Sequence, residues 1–93
     1  MAGAVEFDWD EQNKRHLKSH RVSPEEFEQV ILNDPLDLEY QVESEEERYK
    51  SLGVTHNGRT LIVVWTLRDG KVRAVTAYFA GRSYEKLYRE IRG

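Results

Sequence analysis

Two dipeptides, Asn57-Gly58 and Asp69-Gly70, sit between apolar, β-branched runs in the stretch from Arg48 to Tyr78, and no other feature of the chain restricts its fold as strongly. Each supplies the two positive-φ residues of a type I′ turn, whose twist matches that of the strands it joins. The stretch therefore reads as an antiparallel meander. With two-residue loops in both hairpins, His56 faces Arg59 and Arg68 faces Lys71, and every later pair follows. One face then carries Leu52, Val54, Leu61, Val63, Trp65, Leu67, Val72 and Ala74, which makes it the core face. The other carries Tyr49, Ser51, Gly53, Thr60, Ile62, Val64, Thr66, Arg73, Val75 and Ala77, smaller and more polar, and is read as the open, working face. A one-residue slip in either loop would exchange strands between faces.

The segments before the meander are helical, then extended. Phe7-Asp8-Trp9-Asp10 holds two aromatics that suit an edge strand or an N-terminal anchor, followed by a helical pattern from Glu11 to His20. His16 and His20 are four apart on that helix, a spacing open to metal ligation, but no third ligand follows at a recognisable distance and packing is the simpler reading. Val22-Ser23-Pro24-Glu25-Glu26-Phe27 is a complete helix start, with Ser23 as N-cap, Pro24 at N1, Glu26 closing a capping box, and Val22 and Phe27 as a hydrophobic staple. That helix ends at Asn33-Asp34-Pro35. Leu36 to Val42 alternates apolar and polar residues, as a fourth, half-buried strand should. Glu43 to Glu47 reads as an acidic connector. After Gly81, Ser83 caps a last helix whose Tyr84, Leu87, Tyr88 and Ile91 form one stripe.

The expected fold is α+β: two N-terminal helices, a four-stranded antiparallel meander sheet and a C-terminal helix, in a single domain spanning residues 1–93. The chain has no cysteine, no apolar run of membrane-spanning length, and a start, MAGAVEF, without the flank or hydrophobic stretch of a signal peptide. A soluble, cytoplasmic protein stabilised by packing alone is the expectation. The net charge of −3 is unevenly spread: residues 1–47 sum to −10 and residues 48–93 to +7. Either the C-terminal half offers a basic surface to an acidic partner or nucleic acid, or the two halves neutralise one another.

Several short segments in a fixed order resemble the BrnT family of bacterial type II toxins. They are the opening FDWD, His20 and Val22 ahead of S-P-E-E, Asn33-Asp34-Pro35, the acidic linker into E-R-Y with Arg48, Gly53, the G-R-x-L-x-V-V-W-T run from Gly58 to Thr66, and R-x-V-T-A from Arg73 to Ala77. The resemblance covers nearly the whole chain. It implies a RelE-like fold and an RNA-cleaving toxin, without cofactor or metal, held inactive by a small DNA-binding antitoxin through which alone it meets DNA. The chain has Tyr78 and Tyr84 where members commonly carry arginine or a basic, glutamate-containing helix start.

Metal-free RNA cleavage needs a base, an acid, and cations for the charge that grows on the phosphoryl oxygens. RelE-like enzymes tend to draw these from Lys, Arg and Tyr. Arg73 is central in the meander and permanently charged, so it is the leading catalytic candidate, with Tyr49 beside it in this register and Tyr78 at the strand's end. Arg48, Lys50 and Arg82 are candidates for holding RNA phosphates. Trp65 is assigned to the core and His56 to a turn. The opposing hypothesis is a non-catalytic protein-interaction module on the same scaffold. The catalytic reading requires an uncovered guanidinium at Arg73; one already satisfied by carboxylates would leave only the scaffold.

Overall fold

The computed structural model describes residues 4–93; Met1 to Gly3, part of the opening stretch read above for export signals, lie outside them. The elements run β1 (Phe7–Asp8), α1 (Glu11–Ser19), α2 (Pro24–Leu32), β2 (Leu36–Glu43), β3 (Glu46–Val54), β4 (Thr60–Arg68), β5 (Lys71–Phe79) and α3 (Arg82–Arg92). The class is α+β, with the three helices expected. The sheet, however, has five strands in the order β1-β5-β4-β3-β2, and β1 runs parallel to β5 through Phe7 with Val72 and Asp8 with Arg73. The four-stranded, wholly antiparallel sheet is thus corrected to a mixed one. A two-residue strand leaves no period to read.

The helix starts form as their side chains dictate. Asp10 caps α1 and shares a reciprocal capping box with Asn13, while Ser23 and Glu26 do the same for α2. Val22 and Phe27 are buried, and Phe27 receives the edges of Phe7 and Trp9 at 6.4 and 5.5 Å between ring centres. The Trp9 indole donates to Glu28 at 2.7 Å, tying the N-terminal segment to α2. The last helix starts two residues earlier than Ser83 implied: Gly81 is its N-cap, with no side-chain cap bond.

The second hairpin has the expected two-residue loop, with Asp69 at φ 53°, Gly70 at φ 77° and Arg68 opposite Lys71. The first does not. Thr55 N–H donates to Arg59 C=O, Gly58 N–H donates back to Thr55 C=O, and of the Asn57-Gly58 pair only Gly58 has positive φ. This is a three-residue loop, a tight turn closed by a left-handed glycine, and Thr55 Oγ1 accepts the Arg59 N–H to stabilise it. The extra residue shifts β3 by one against β4, so that Leu52 faces Ile62 and Tyr49 faces Trp65.

Two further irregularities follow. Between Val64 and Trp65 the β4–β5 register slips, leaving Val75 as a bulge. The acidic connector is mostly strand: β2 and β3 pair out to Glu43 with Glu46, and Ser44-Glu45 makes the turn with both residues at positive φ.

The main core lies under α1 and α2, where Leu17, Phe27 and Val30 meet Leu61, Val63, Ala74 and Ala77. Gly53 stands on that face because a Cβ there would come within 2.8 Å of Val30 Cγ1. Leu52 and Ile62 are buried on the opposite face, where α3 returns over β3 and Arg92 donates to the carbonyls of Asp34 and Pro35. The shifted register therefore moves Leu52 from the face of Leu61, where it was expected, to that of Ile62, while Ile62 keeps its expected place on Arg73's side but is buried there.

Because Glu45 holds a left-handed conformation without being glycine, Glu45→Gly is expected to stabilise the fold by about 1 kcal/mol in urea unfolding. Unchanged or lowered stability would contradict the turn geometry.

Candidate active site

On the face turned away from α2, residues of three strands form rows across the sheet. Arg48 lies in line with Thr66, which pairs with Arg73; Lys50 pairs with Val64, which pairs with Thr76; Leu52 pairs with Ile62, which pairs with Tyr78. Arg73 and Tyr78 are five residues apart and would stand on opposite faces of a regular strand. The bulge at Val75 turns Thr76 and Tyr78 to the side of Arg73.

Helix α1 crosses the free edge of β5 beyond the short β1. Its Leu17 enters the core while His16 and His20, one turn apart, stay exposed toward Thr76 and Tyr78. His16 Nε2 lies 3.0 Å from Thr76 Oγ1. The two imidazoles meet edge to face at 5.2 Å, and His20 is 6.5 Å from the Tyr78 ring. Beside them opens a cleft of about 580 Å³ lined by Arg15, His16, Ser19, Arg48, Thr66, Arg68 and Arg73. Four guanidinium groups thus border one shallow depression with an imidazole at its edge.

The predicted residues separate in this geometry. Arg73 stands on the expected side, but its guanidinium reaches Asp10 at 2.7 Å and Asp8 at 3.6 Å and its side chain is only 12% exposed. Its charge is already answered by two carboxylates, the arrangement on which the catalytic reading built on Arg73 fails and only the scaffold survives, so any catalytic reading has to rest on other groups. Arg48 is more open and is held at 3.3 Å by both Glu43 and Glu46. Lys50 and Tyr78 are partly exposed on the same face. Arg82 lies exposed in the first turn of α3.

Tyr49 is not beside Arg73. The shifted register sends it to the opposite face, where it stacks on Trp65 at 4.4 Å and donates to a Glu47 carboxylate oxygen at 2.7 Å. That hydrogen bond, with burial second, pushes the phenol above its usual value and makes it a poorer proton carrier. Trp65 is partly buried, as expected, and its indole donates to Ser51 Oγ. The His16 and His20 pair was visible as an i, i+4 spacing, but no sequence signal showed what it would face. Among the described residues, no three His, Cys, Asp or Glu side chains converge as a metal-binding group.

Residues 9–83 match the family described as ribonuclease toxin, BrnT, of type II toxin–antitoxin system. The chain belongs to the BrnT family. No curated protein matches the sequence. The BrnT match spans α1, the seam with β5 and every strand from β2 to β5, and so includes the site residues just described apart from Asp8. Among the described residues no helix is long and apolar enough to cross a membrane.

The ion pairs also decide between the two readings of the charge asymmetry. Acids of the first half hold bases of the second in Glu6–Lys71, Asp8–Arg73, Asp10–Arg73, Glu26–Arg59, Glu43–Arg48 and Asp34–Arg92. Much of the opposed charge is neutralised internally. Among the described residues, the bases left facing the cleft without a carboxylate within ion-pair distance are Arg15 and Arg68.

Asp10 is held below the usual carboxylate range, chiefly by the Asn13 N–H and next by Arg73. A lowered folded-state value contributes stability above the ordinary value of 3.8, and that contribution disappears as pH falls through the lowered one. Asp10→Asn keeps a capping side chain and removes the charge. Its thermal midpoint is expected to lie below wild type at pH 7 and to converge with it in acid below 3.8; a gap constant with pH would contradict this pairing.

Proposed function

We propose that this protein is a metal-independent endoribonuclease toxin, acting in the cytoplasm and neutralised by a small DNA-binding antitoxin, with its reactive groups at the seam of α1 and β5. The observation that carries the reading is the imidazole pair, His16 and His20, set beside Tyr78 and a cleft bordered by arginines. Family membership supports RNA as substrate and an antitoxin as partner.

The chemistry needs nothing the side chains lack. A neutral imidazole takes the proton from a ribose 2′-hydroxyl as its oxygen attacks the adjacent phosphorus. The second, protonated imidazole gives a proton to the departing 5′-oxygen, leaving a 2′,3′-cyclic phosphate and a 5′-hydroxyl. Arg15 and Arg68, and Arg48 once drawn from its two glutamates, stabilise the charge on the non-bridging oxygens. Thr76 orients His16, and Tyr78 borders His20. Arg73 acts by positioning: held by Asp8 and Asp10, it locks β1 and the start of α1 to β5, and so sets where the histidines stand.

The second reading is a non-catalytic interaction module, favoured by one observation: the two central guanidinium groups, Arg48 and Arg73, already have carboxylate partners. Incubation of purified protein with RNA in excess EDTA separates the two. Cleavage should persist in EDTA, give cyclic-phosphate ends, and fall by about 10²-fold or more in both His16→Ala and His20→Ala, with unfolding midpoints unchanged. Activity at the level of a blank leaves the interaction module; full activity in both histidine variants moves the site elsewhere.

A further inference from the structure

The side of the sheet that carries α1 and α2 is only partly covered by them. Beyond α2, Tyr40, Tyr49 and Trp65 continue across β2, β3 and β4 as a ladder of rings, at 5.2 and 4.4 Å between neighbours. One row further out lie Val42, paired with Glu47, and Leu67, paired with Val72. Val42 is 60% exposed, Tyr40 55%, Leu67 51% and Val5, on the chain entering β1, 47%. Between α2, the sheet and the Asp69-Gly70 turn this surface sinks into a groove of about 470 Å³, with Ile31 and Pro35 on one wall and Val5 and Leu67 on the other. An apolar surface spread over three strands, with Val5 at its margin, is more than singly scattered surface residues produce.

Its charge restricts the occupant. Glu6, Asp37 and Asp69 line the groove, Glu47 stands in the outer row beside Val42 and accepts from the Tyr49 hydroxyl, and among the described residues the one cation of the lining, Lys71, is turned to Glu6 at 3.9 Å. Stacking rings on an open sheet suit nucleic-acid bases in many folds, but phosphates would meet carboxylates here and none of the basic residues of the opposite face. A second copy placed through the same face would set acid against acid. Sheet faces in this molecule are covered by helices, and the uncovered strip runs beside α2.

We infer that this groove and ladder form the docking surface for a cationic amphipathic helix of a partner protein. Apolar residues at i, i+3, i+4 and i+7 lie along Tyr40, Val42 and Leu67, and lysines or arginines at the margins reach Glu6, Asp37 and Asp69. The inference concerns the opposite side of the sheet from Arg48, Thr66 and Arg73 and stands without the nuclease reading.

The probe is a fluorescent amphipathic peptide of about 18 residues built from leucine and lysine, compared with a leucine–glutamate peptide of the same pattern and a scrambled leucine–lysine peptide. Anisotropy titrations of the whole chain would be paired with amide shift mapping. The leucine–lysine helix should bind, shift Tyr40, Val42 and Leu67, and lose about tenfold in affinity in Val42→Glu and in Leu67→Glu, both fully tolerable by the fold because the side chains are exposed. Equal binding of the acidic or scrambled peptide, shifts centred on Arg48 and Arg68, a stable dimer of the free chain, or the same shifts with a single-stranded RNA would each overturn the proposal.

Discussion

Side chains alternate along a strand, so residues an odd number apart cannot share a face unless the ladder is interrupted. The candidate site exists because two interruptions meet there. The three-residue loop from His56 to Gly58 moves β3 by one and brings Arg48 and Lys50 to the side of Arg73 while sending Tyr49 away. The bulge at Val75 then reverses the outer half of β5, so that Thr76 and Tyr78 join Arg73 and Ala77 enters the core. Remove either and the cationic row and the histidine seam fall on different faces.

A second constraint fixes what stands at the edge of that sheet. Arg73 holds Asp8 and Asp10 on a segment whose Phe7 and Trp9 pack against Phe27, and the parallel pairing of β1 with β5 follows the same line. Since Asp10 is also the N-cap of α1, closed by its capping box with Asn13, the same guanidinium ties the start of that helix to β5, on whose edge His16 meets Thr76. This explains a cation that is central yet unsuited to phosphate. Its charge is taken up in assembly, while the imidazoles of His16 and His20 stand exposed on α1 at the edge of β5.

Much of this fold was legible in the chain. Asp69-Gly70 formed the turn its residue types require, Ser23 and Glu26 closed their capping box, and the i, i+4 histidines were evident. What escaped had physical causes. Asn57-Gly58 serves a two-residue loop through two left-handed residues or a three-residue loop through the glycine alone, and the hydroxyl of Thr55 tips the balance. Val75 is an ordinary strand residue, so nothing in its chemistry marks a bulge. Ser44-Glu45 turns the chain without glycine or asparagine, and glutamates in strands resemble a solvated loop. The histidines could be seen but not their neighbours, because those neighbours depend on the bulge.

The two sides of the sheet differ in character, one bordered by arginines and imidazoles and the other carrying aromatic rings among carboxylates. That division follows from the strand registers. Through-space proton contacts in solution test it most directly. The account predicts contacts from the Tyr49 ring to Trp65, and from the His16 ring to Thr76, with none from Tyr49 to Thr66 or Arg73 side chains. Contacts joining Tyr49 to Thr66 and Arg73 would restore the regular register and contradict the site as described.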